Sequence, residues 1–230
     1  MSARGRQLLI ALGLAVVLVG IAIAVSLGGS DDEPEREPAE IGDLFDGIPQ
    51  MGTVLGDPDA SLEVTEFGDM QCPFCADFAA DAVPSIVEDY VRPGSLRLDF
   101  AVLAFLGPDS EGLARLVGAA SLQDLAWPTI ELLYQRQGAE NSGYATEHFL
   151  AEAAADVPGL DAERALADRE SPQVDRILRQ AATEANRVGV SGTPSFFHSE
   201  GGEAPVPLDV GSLDAEGFAD AIDPLVGAGG

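Results

Sequence analysis

The chain has only two cysteines, Cys72 and Cys75, and they enclose a Pro-Phe dipeptide. Residues 62–67 (LEVTEF), just before them, alternate in side-chain type after a Gly-Asp-Pro-Asp turn, which predicts a β-strand. After them, apolar side chains from Phe74 to Tyr90 recur at spacings of mostly three and four, the period of a helix. Pro73 suits the first turn of this helix, where its missing N–H costs no hydrogen bond. The two thiols are therefore expected between a strand and a helix.

This placement favours a reversible dithiol over a structural disulfide or a metal site. A disulfide that closes so short a loop stabilises a fold by only about 2 kcal/mol. Structural zinc needs four ligands, whereas the two histidines, His148 and His198, are far apart in the sequence, so we predict no zinc site and no cofactor. A Cu(I) site on the two thiolates stays open as an alternative. Cys72 would meet the free N–H groups of the helix start, which lower a thiol pKa, and Cys75 could attack a mixed disulfide one turn on.

The rest of the chain predicts an α/β layer fold with a helical insertion. A second strand is expected at Leu96–Phe105 and a helical block at residues 109–188, with breaks that give about four helices. Pro84 should kink the helix that follows the cysteines. Two more strands, Ser195–His198 and Val206–Val210, and a closing helix, Asp214–Val226, complete the order.

The N-terminus predicts a membrane anchor. Arg4 and Arg6 precede an uncharged, mostly apolar run from Leu8 to Leu27, which matches the roughly 20 residues of a spanning helix. Residues 1–29 are therefore expected to form a single-pass transmembrane helix that leaves the rest of the chain outside the cytoplasm. Cleavage near residues 24–26 (AVS), which would yield a secreted protein, is the alternative. Residues 30–50, rich in acid and proline, predict a solvated tether.

The charge excludes some partners. The chain has 39 Asp and Glu against 12 Arg and no Lys, for a net charge of -27. Binding to nucleic acid or to an anionic membrane surface requires clustered cations, so neither is expected. Asp69, Asp77 and Asp81 flank the cysteines; we expect them to be solvated and their field to raise the Cys72 pKa.

Two segments carry a resemblance to a known family. VTEFGDMQCPFCADF is similar to the active-site strand, turn and helix of the DsbA-like thiol–disulfide oxidoreductases, and GVSGTPSFF, at residues 189–197, resembles their cis-proline loop. The two occur in the family's order with a helical block between them. The resemblance implies a thioredoxin fold, built from residues 51–108 and 189–230, with an inserted helical domain at residues 109–188. In the chain, this fold would follow the predicted N-terminal transmembrane helix.

The resemblance also implies the roles of individual residues. Cys72 would be the exposed nucleophile and Cys75 the resolving thiol, joined in the oxidised form as a redox disulfide. Pro194 would follow a cis peptide bond and lie against this disulfide, while the backbone of Thr193 pairs with a substrate peptide.

The Pro73-Phe74 dipeptide would contact the substrate and tune the redox potential through the donors that reach the Cys72 sulfur. Glu66 shares the predicted buried face of the first strand with Leu62 and Val64, where an unpaired carboxylate is costly. In the family, an acid at this place moves the proton of the buried thiol, and burial would raise its pKa for that task. The alternative is a solvated acid at a fraying strand end.

Together these features predict an enzyme, an extracytoplasmic thiol–disulfide oxidoreductase that introduces disulfides into exported proteins with free thiols. A membrane, quinone-linked partner resembling DsbB or VKOR would reoxidise it, and a monomer is expected. A disulfide reductase, for example one serving cytochrome c maturation, is the nearest alternative. A non-enzymatic thiolate copper carrier or peptide-binding protein on the same fold is the other.

Overall fold

A six-stranded mixed β-sheet lies at the centre of the computed structural model, which describes residues 37–227. In chain order the strands are β1 Gln50–Met51, β2 Val54–Leu55, β3 Leu62–Asp69, β4 Leu96–Leu103, β5 Ser195–Glu200 and β6 Val206–Leu208. Across the sheet the order is β1-β2-β4-β3-β5-β6. Strands β3 and β4 are parallel and the other neighbours antiparallel. The predicted strands are all present, and β3 is one of the two central ones.

Nine α-helices lie within the described range: α1 Pro38–Phe45, α2 Pro73–Asp81, α3 Val83–Ile86, α4 Pro108–Ser121, α5 Ala126–Gln135, α6 Glu147–Asp156, α7 Ala162–Asp168, α8 Pro172–Val188 and α9 Ala215–Val226. Five of them, α4 to α8, form the insertion between β4 and β5, one more than the breaks in the sequence predicted.

Pro84 does not kink a continuous helix as predicted. It occupies the first turn of the separate helix α3, where its missing N–H is harmless, and α3 runs into a π-helical turn, Val87–Val91.

Both faces of the sheet are covered around β3. Leu62, Val64 and Glu66 point to the larger core, while Phe67 points to the opposite face. There Phe67 packs with Ala181 and Ala185 of α8 and with two further apolar side chains, Leu103 and Phe197. The end of β3, from which the cysteine turn emerges, is therefore deep inside the protein.

The acidic segment before β1 is folded from Pro38 onward. Helix α1 buries Ile41 and Phe45, and the Phe45 ring lies 6.4 Å from the Trp127 indole, centroid to centroid. The Arg92 guanidinium donates hydrogen bonds to the carbonyl oxygens of Leu44 and Asp46, each at 2.9 Å. The tether interpretation is thus wrong for residues 38–45, because two apolar side chains spaced i, i+4 give even a short acidic helix one edge to bury.

The predicted anchor, residues 1–29, lies outside the described residues. Between residues 37 and 227, no helix combines the length and the apolar character that a membrane crossing requires.

Candidate active site

Cys72 begins helix α2. It is the N-cap residue, with extended backbone angles, and its Sγ accepts the Cys75 backbone N–H at 3.4 Å. A short turn connects it to β3, since the Cys72 N–H donates to the Asp69 carbonyl at 2.9 Å. The sulfur therefore sits at the positive end of the helix, as the position of Pro73 in the first turn predicted.

The loop before β5 lies against this sulfur. The Thr193–Pro194 peptide bond is cis, as predicted, and the Thr193 carbonyl oxygen is 3.2 Å from the Cys72 Sγ. Cys72 is only 3% exposed, so it is not the exposed side chain that the resemblance implied. Thr193 and the first turn of α2 cover it, whereas Phe74 is 60% exposed and Pro73 is also exposed.

The surroundings of Cys72 favour its thiolate. Its pKa is lowered from 9.0 to about 6, chiefly by the hydrogen bond from the Cys75 thiol. The Thr193 side chain and the backbone N–H groups of Phe74 and Cys75 also donate to the sulfur, and together they outweigh burial, which acts in the opposite direction. Cys72 is therefore a thiolate at neutral pH.

Cys75 behaves in the opposite way. Its side chain is completely buried, and burial raises the pKa of its thiol far above 9.0. The hydrogen bond that it donates to Cys72 and the negative charges of Glu66 and Cys72 act in the same direction. Both cysteines are free thiols in this structure, so it represents the reduced form, with one thiolate above one thiol.

Glu66 lies on the buried face of β3, as predicted, and is 5% exposed. Burial, followed by the charge of Cys72, raises the pKa of its carboxyl from 4.5 to about 8. Within residues 37–227, nothing donates a hydrogen bond to its Oε1. A carboxyl in this state can give or take a proton close to neutral pH.

Asp69 is buried rather than solvated, which contradicts the expectation from the sequence. Its carboxylate accepts four hydrogen bonds, from the Ser110 hydroxyl at 2.7 Å and from the backbone N–H groups of Gln71, Phe105 and Leu106 at 2.9, 2.9 and 3.1 Å. These donors replace water around the charge, which makes its burial tolerable.

Asp77 and Asp81 are solvated, as the sequence predicted, and two further candidate residues lie away from the dithiol. Asp77 and Asp81 are exposed on α2, and His148 is exposed on α6. Trp127 is a packing residue, 3% exposed, whose indole N–H donates to the Thr53 carbonyl at 2.8 Å.

Two residues of the insertion reach the site without any sequence signal for it. The Gln137 side chain donates to the carbonyl oxygens of Met70 and Cys72, at 2.9 and 3.2 Å, and so holds the turn before α2. The buried Tyr134 hydroxyl, on α5, lies 3.4 Å from the Asp69 carbonyl oxygen. Both lie about 60 positions after the cysteines, Tyr134 on α5 and Gln137 just beyond its end, so the helical period shows only that α5 packs.

A dithiol that caps a helix, a cis-proline loop against it and helices inserted into the sheet define a DsbA-like thiol–disulfide oxidoreductase of the thioredoxin fold. The profile of the thioredoxin family matches residues 49–202. The chain belongs to this family, and it is a thiol–disulfide oxidoreductase of the kind that forms disulfide bonds.

Relatives and solved structures agree with this assignment. The probable disulfide bond formation protein D of Bacillus anthracis is 31% identical over 147 residues, which are 62% of this chain and 67% of that protein. A thioredoxin-like oxidoreductase from Silicibacter pomeroyi DSS-3 is 30% identical, with a TM-score of 0.60 over 80% of this chain and 96% of the other. Oxidised BdbD from Bacillus subtilis, 20% identical, shares the fold with a TM-score of 0.66 over 78% and 97%.

Proposed function

We propose that this protein oxidises thiol pairs of exported proteins outside the cytoplasm, with Cys72 and Cys75 as its redox pair. The observation that carries the proposal is the contrast between the two thiols, a Cys72 pKa of about 6 and a raised Cys75 pKa. A low pKa makes Cys72 a good leaving group and stabilises the reduced form, and both properties favour the oxidation of a substrate.

The reaction begins from the Cys72–Cys75 disulfide. A substrate thiolate attacks the Cys72 Sγ, the S–S bond breaks, and its electron pair leaves on Cys75. Glu66, largely protonated at neutral pH, supplies a proton to this buried sulfur. The second thiolate of the substrate then attacks the substrate sulfur of the mixed disulfide and releases Cys72 as a thiolate. The substrate loses two electrons, which the protein retains as one thiolate and one thiol.

Three residues around Cys72 would receive the substrate. The backbone of Thr193, beside Pro194, would pair with an extended peptide, and the 3.2 Å between its carbonyl oxygen and the Cys72 Sγ supports a peptide site next to the sulfur. Phe74 and Pro73, which follow Cys72 and are exposed, would offer the substrate an apolar surface.

The location rests on the N-terminal sequence. The uncharged run Leu8–Leu27, after Arg4 and Arg6, would anchor the protein as a single-pass membrane protein. Its catalytic domain would then act as a monomer at the outer face, and a quinone-linked membrane protein resembling DsbB or VKOR would reoxidise it.

Trapping in cells tests this function. In Cys75→Ser, the Cys72 thiolate can attack a disulfide of an exported protein, whose other sulfur leaves as a thiolate. No resolving thiol is present to break the resulting mixed disulfide, so such adducts should accumulate and disappear on reduction. Cys72→Ser is the matched control, because it keeps one thiol but only the one whose pKa is raised. If Cys75→Ser accumulates no more adducts than Cys72→Ser, the proposal is wrong.

A reductase is the second candidate, and one observation favours it. A Cys72 pKa of about 6 is closer to the value of about 7 in thioredoxin than to about 3.5 in DsbA. Equilibration with glutathione gives the redox potential that separates the two. A potential near about -120 mV supports the oxidase, and one near about -270 mV supports the reductase.

A further inference from the structure

The turn that carries Cys72 runs from Asp69, the last residue of β3, directly into the first turn of α2. Inside it, the Cys72 N–H donates to the Asp69 carbonyl oxygen and the Gln71 N–H donates to the Asp69 carboxylate, each at 2.9 Å. Residues 69–72 (DMQC) contain no proline that would restrict the backbone. The position of the Cys72 sulfur at the start of α2 therefore depends on the contacts that hold this turn.

Gln137, just beyond α5, holds the backbone of the turn. Its Nε2 donates to the carbonyl oxygens of Met70 and Cys72, at 2.9 and 3.2 Å. A primary amide has two N–H donors, so one side chain can bond to both carbonyls. The Cys72 carbonyl oxygen also accepts the Ala76 N–H at 3.2 Å, one of the first hydrogen bonds of α2. Gln137 thus acts on the peptide group at which the helix begins.

The side chain of Gln71, the neighbour of Cys72, is held in the same way. It is 1% exposed, its Nε2 donates to the Ser110 hydroxyl at 2.8 Å, and its Oε1 accepts the Asn141 N–H at 2.7 Å. The Ser110 hydroxyl in turn donates to the Asp69 carboxylate at 2.7 Å. These hydrogen bonds form a connected buried network, which rigidifies the groups that it joins.

The partners of the turn in this network, Ser110, Gln137 and Asn141, all belong to the helical insertion. We propose that Gln137 is a positioning residue, which keeps the Cys72 sulfur at the start of α2 by holding the two carbonyls of the turn. This role rests on the proposed function, in which Cys72 is attacked by a substrate thiolate and later leaves as a thiolate. A small displacement of the sulfur would weaken its contact with the N–H groups of the helix start and misalign it for attack.

The test is Gln137→Met in the full-length protein, which keeps the length of the side chain and removes both donors. The rate of Cys72 alkylation by iodoacetamide against pH gives the midpoint at which its thiolate forms. The equilibrium with glutathione gives the redox potential, as the protein disulfide and two glutathione molecules exchange two electrons for the dithiol and one glutathione disulfide.

Gln123→Met is the matched control within the insertion. The Gln123 side chain also forms two hydrogen bonds to backbone groups, to the carbonyl oxygen of Asp161 at 3.1 Å and from its N–H at 3.0 Å. Its loss should leave both the midpoint and the equilibrium as in the wild type, because Gln123 bonds to the segment before α7 and not to the turn.

We expect the acid dissociation constant of Cys72 to fall roughly 3- to 10-fold in Gln137→Met, as for the weakening of one modest hydrogen bond to the sulfur. The alkylation midpoint then moves up by about 0.5 to 1 pH unit. At pH 8, where Cys72 is a thiolate in both proteins, the equilibrium constant for reduction by glutathione should fall by the same factor. The redox potential then becomes about 15 to 30 mV more negative.

A midpoint within about 0.2 unit of the wild type, together with an unchanged equilibrium, would overturn the positioning role and leave the proposed function intact. Equal shifts in Gln123→Met would also overturn it, because general loosening of the insertion gives that result. Should Gln137→Met fail to fold, Gln137→Asn, whose amide is one methylene shorter, provides the same test. If the oxidised wild type does not oxidise glutathione, the proposed function fails and the positioning role fails with it.

Discussion

Cys72 and Cys75 are one helical turn apart, yet their surroundings move their pKa values in opposite directions. Cys72 lies outside the first turn of α2, where backbone N–H groups and the Cys75 thiol donate to its sulfur and lower its pKa to about 6. Cys75 lies inside that turn, in a buried space that it shares with the carboxyl of Glu66, and its pKa is raised. Three positions along a helix suffice to give two identical side chains different acidities.

In the proposed function this difference divides the reaction between the two sulfurs. On the Cys72 side lie the donors to its sulfur, the cis bond before Pro194 and the exposed Phe74, where we propose that a substrate peptide binds. On the Cys75 side lies the buried carboxyl of Glu66, which we propose exchanges a proton with the Cys75 thiol. The first side would determine which sulfur is attacked, and the second how quickly that attack is resolved.

The largest expected effect is on thiol reactivity. In the reduced protein at pH 7, iodoacetamide should modify Cys72 at least about 100-fold faster than Cys75, because only Cys72 is a thiolate. Mass spectrometry of tryptic peptides measures both rates. In Cys72→Ser the remaining thiol should stay almost unreactive. Rapid modification of Cys75 in that variant would contradict the division between the two sides.

Removing the Glu66 carboxyl should affect rate and stability. After reduced protein reacts with oxidised glutathione, Cys75 displaces glutathione from a mixed disulfide on Cys72. Glu66→Gln should slow this displacement by about 100-fold at pH 7, as expected for a lost general acid–base group. The pKa of the Glu66 carboxyl is about 8 in the folded protein and 4.5 ordinarily, so between these pH values the carboxyl is ionised chiefly in the unfolded protein. The free energy of unfolding therefore falls as pH rises through this interval. Glu66→Gln should therefore raise the free energy of unfolding at pH 7 by about 3 kcal/mol.

Urea denaturation of the reduced protein at pH 5 and pH 7 measures this change. Glu63→Gln is the matched control on the same strand, since Glu63 is partly exposed and paired with Arg97 at 2.6 Å. It should lower stability by less than about 1 kcal/mol. If the two variants give the same dependence on pH, then Glu66 does not titrate as the Cys75 side requires.

Thr193→Val removes one donor from the Cys72 side. The Cys72 pKa should rise by about one unit, the equivalent of one modest hydrogen bond to a thiolate. The dependence of alkylation on pH measures it. Thr183→Val, which removes an exposed hydroxyl on α8, should leave the curve unchanged. An unchanged curve in Thr193→Val would assign the lowered pKa to the Cys75 thiol and the backbone N–H groups of the helix start.

The smallest effect is expected from the exposed acids on α2. Asp77→Asn combined with Asp81→Asn should lower the Cys72 pKa by only about 0.3 unit at low salt, and by less at high salt, because water and ions screen solvated charges. The same alkylation curve at two salt concentrations is the measurement. A shift above one unit at high salt would mean that long-range charge, and not contact with donors, separates the two thiols.

Local patterns were enough to predict the positions of Cys72 and Glu66. Alternation along β3 placed Glu66 on the buried face, and helical spacing after Pro73 placed Cys72 at a helix start. The resemblance to the DsbA-like family added the loop with the cis bond before Pro194. Each of these rests on residues close together in the sequence or on a motif of a few residues.

The contacts around Asp69 and Tyr134 are ones that no local pattern encodes. The donors that keep Asp69 buried include Phe105 and Ser110, 36 and 41 positions further on, and Tyr134 is 65 positions away. An acid beside a strand end predicts solvation unless such donors are known. Helix α1 was missed for a related reason, since acidic composition obscured the spacing of Ile41 and Phe45.

A titration of the two thiols tests the central claim most directly. Thiolates absorb in the near ultraviolet, so the absorbance of the reduced protein against pH, compared with that of Cys72→Ser and Cys75→Ser, assigns each transition. One thiolate should form with a midpoint near 6 and be lost in Cys72→Ser, while no second thiolate should form up to pH 9. Two thiols that titrate together above pH 8 would contradict it.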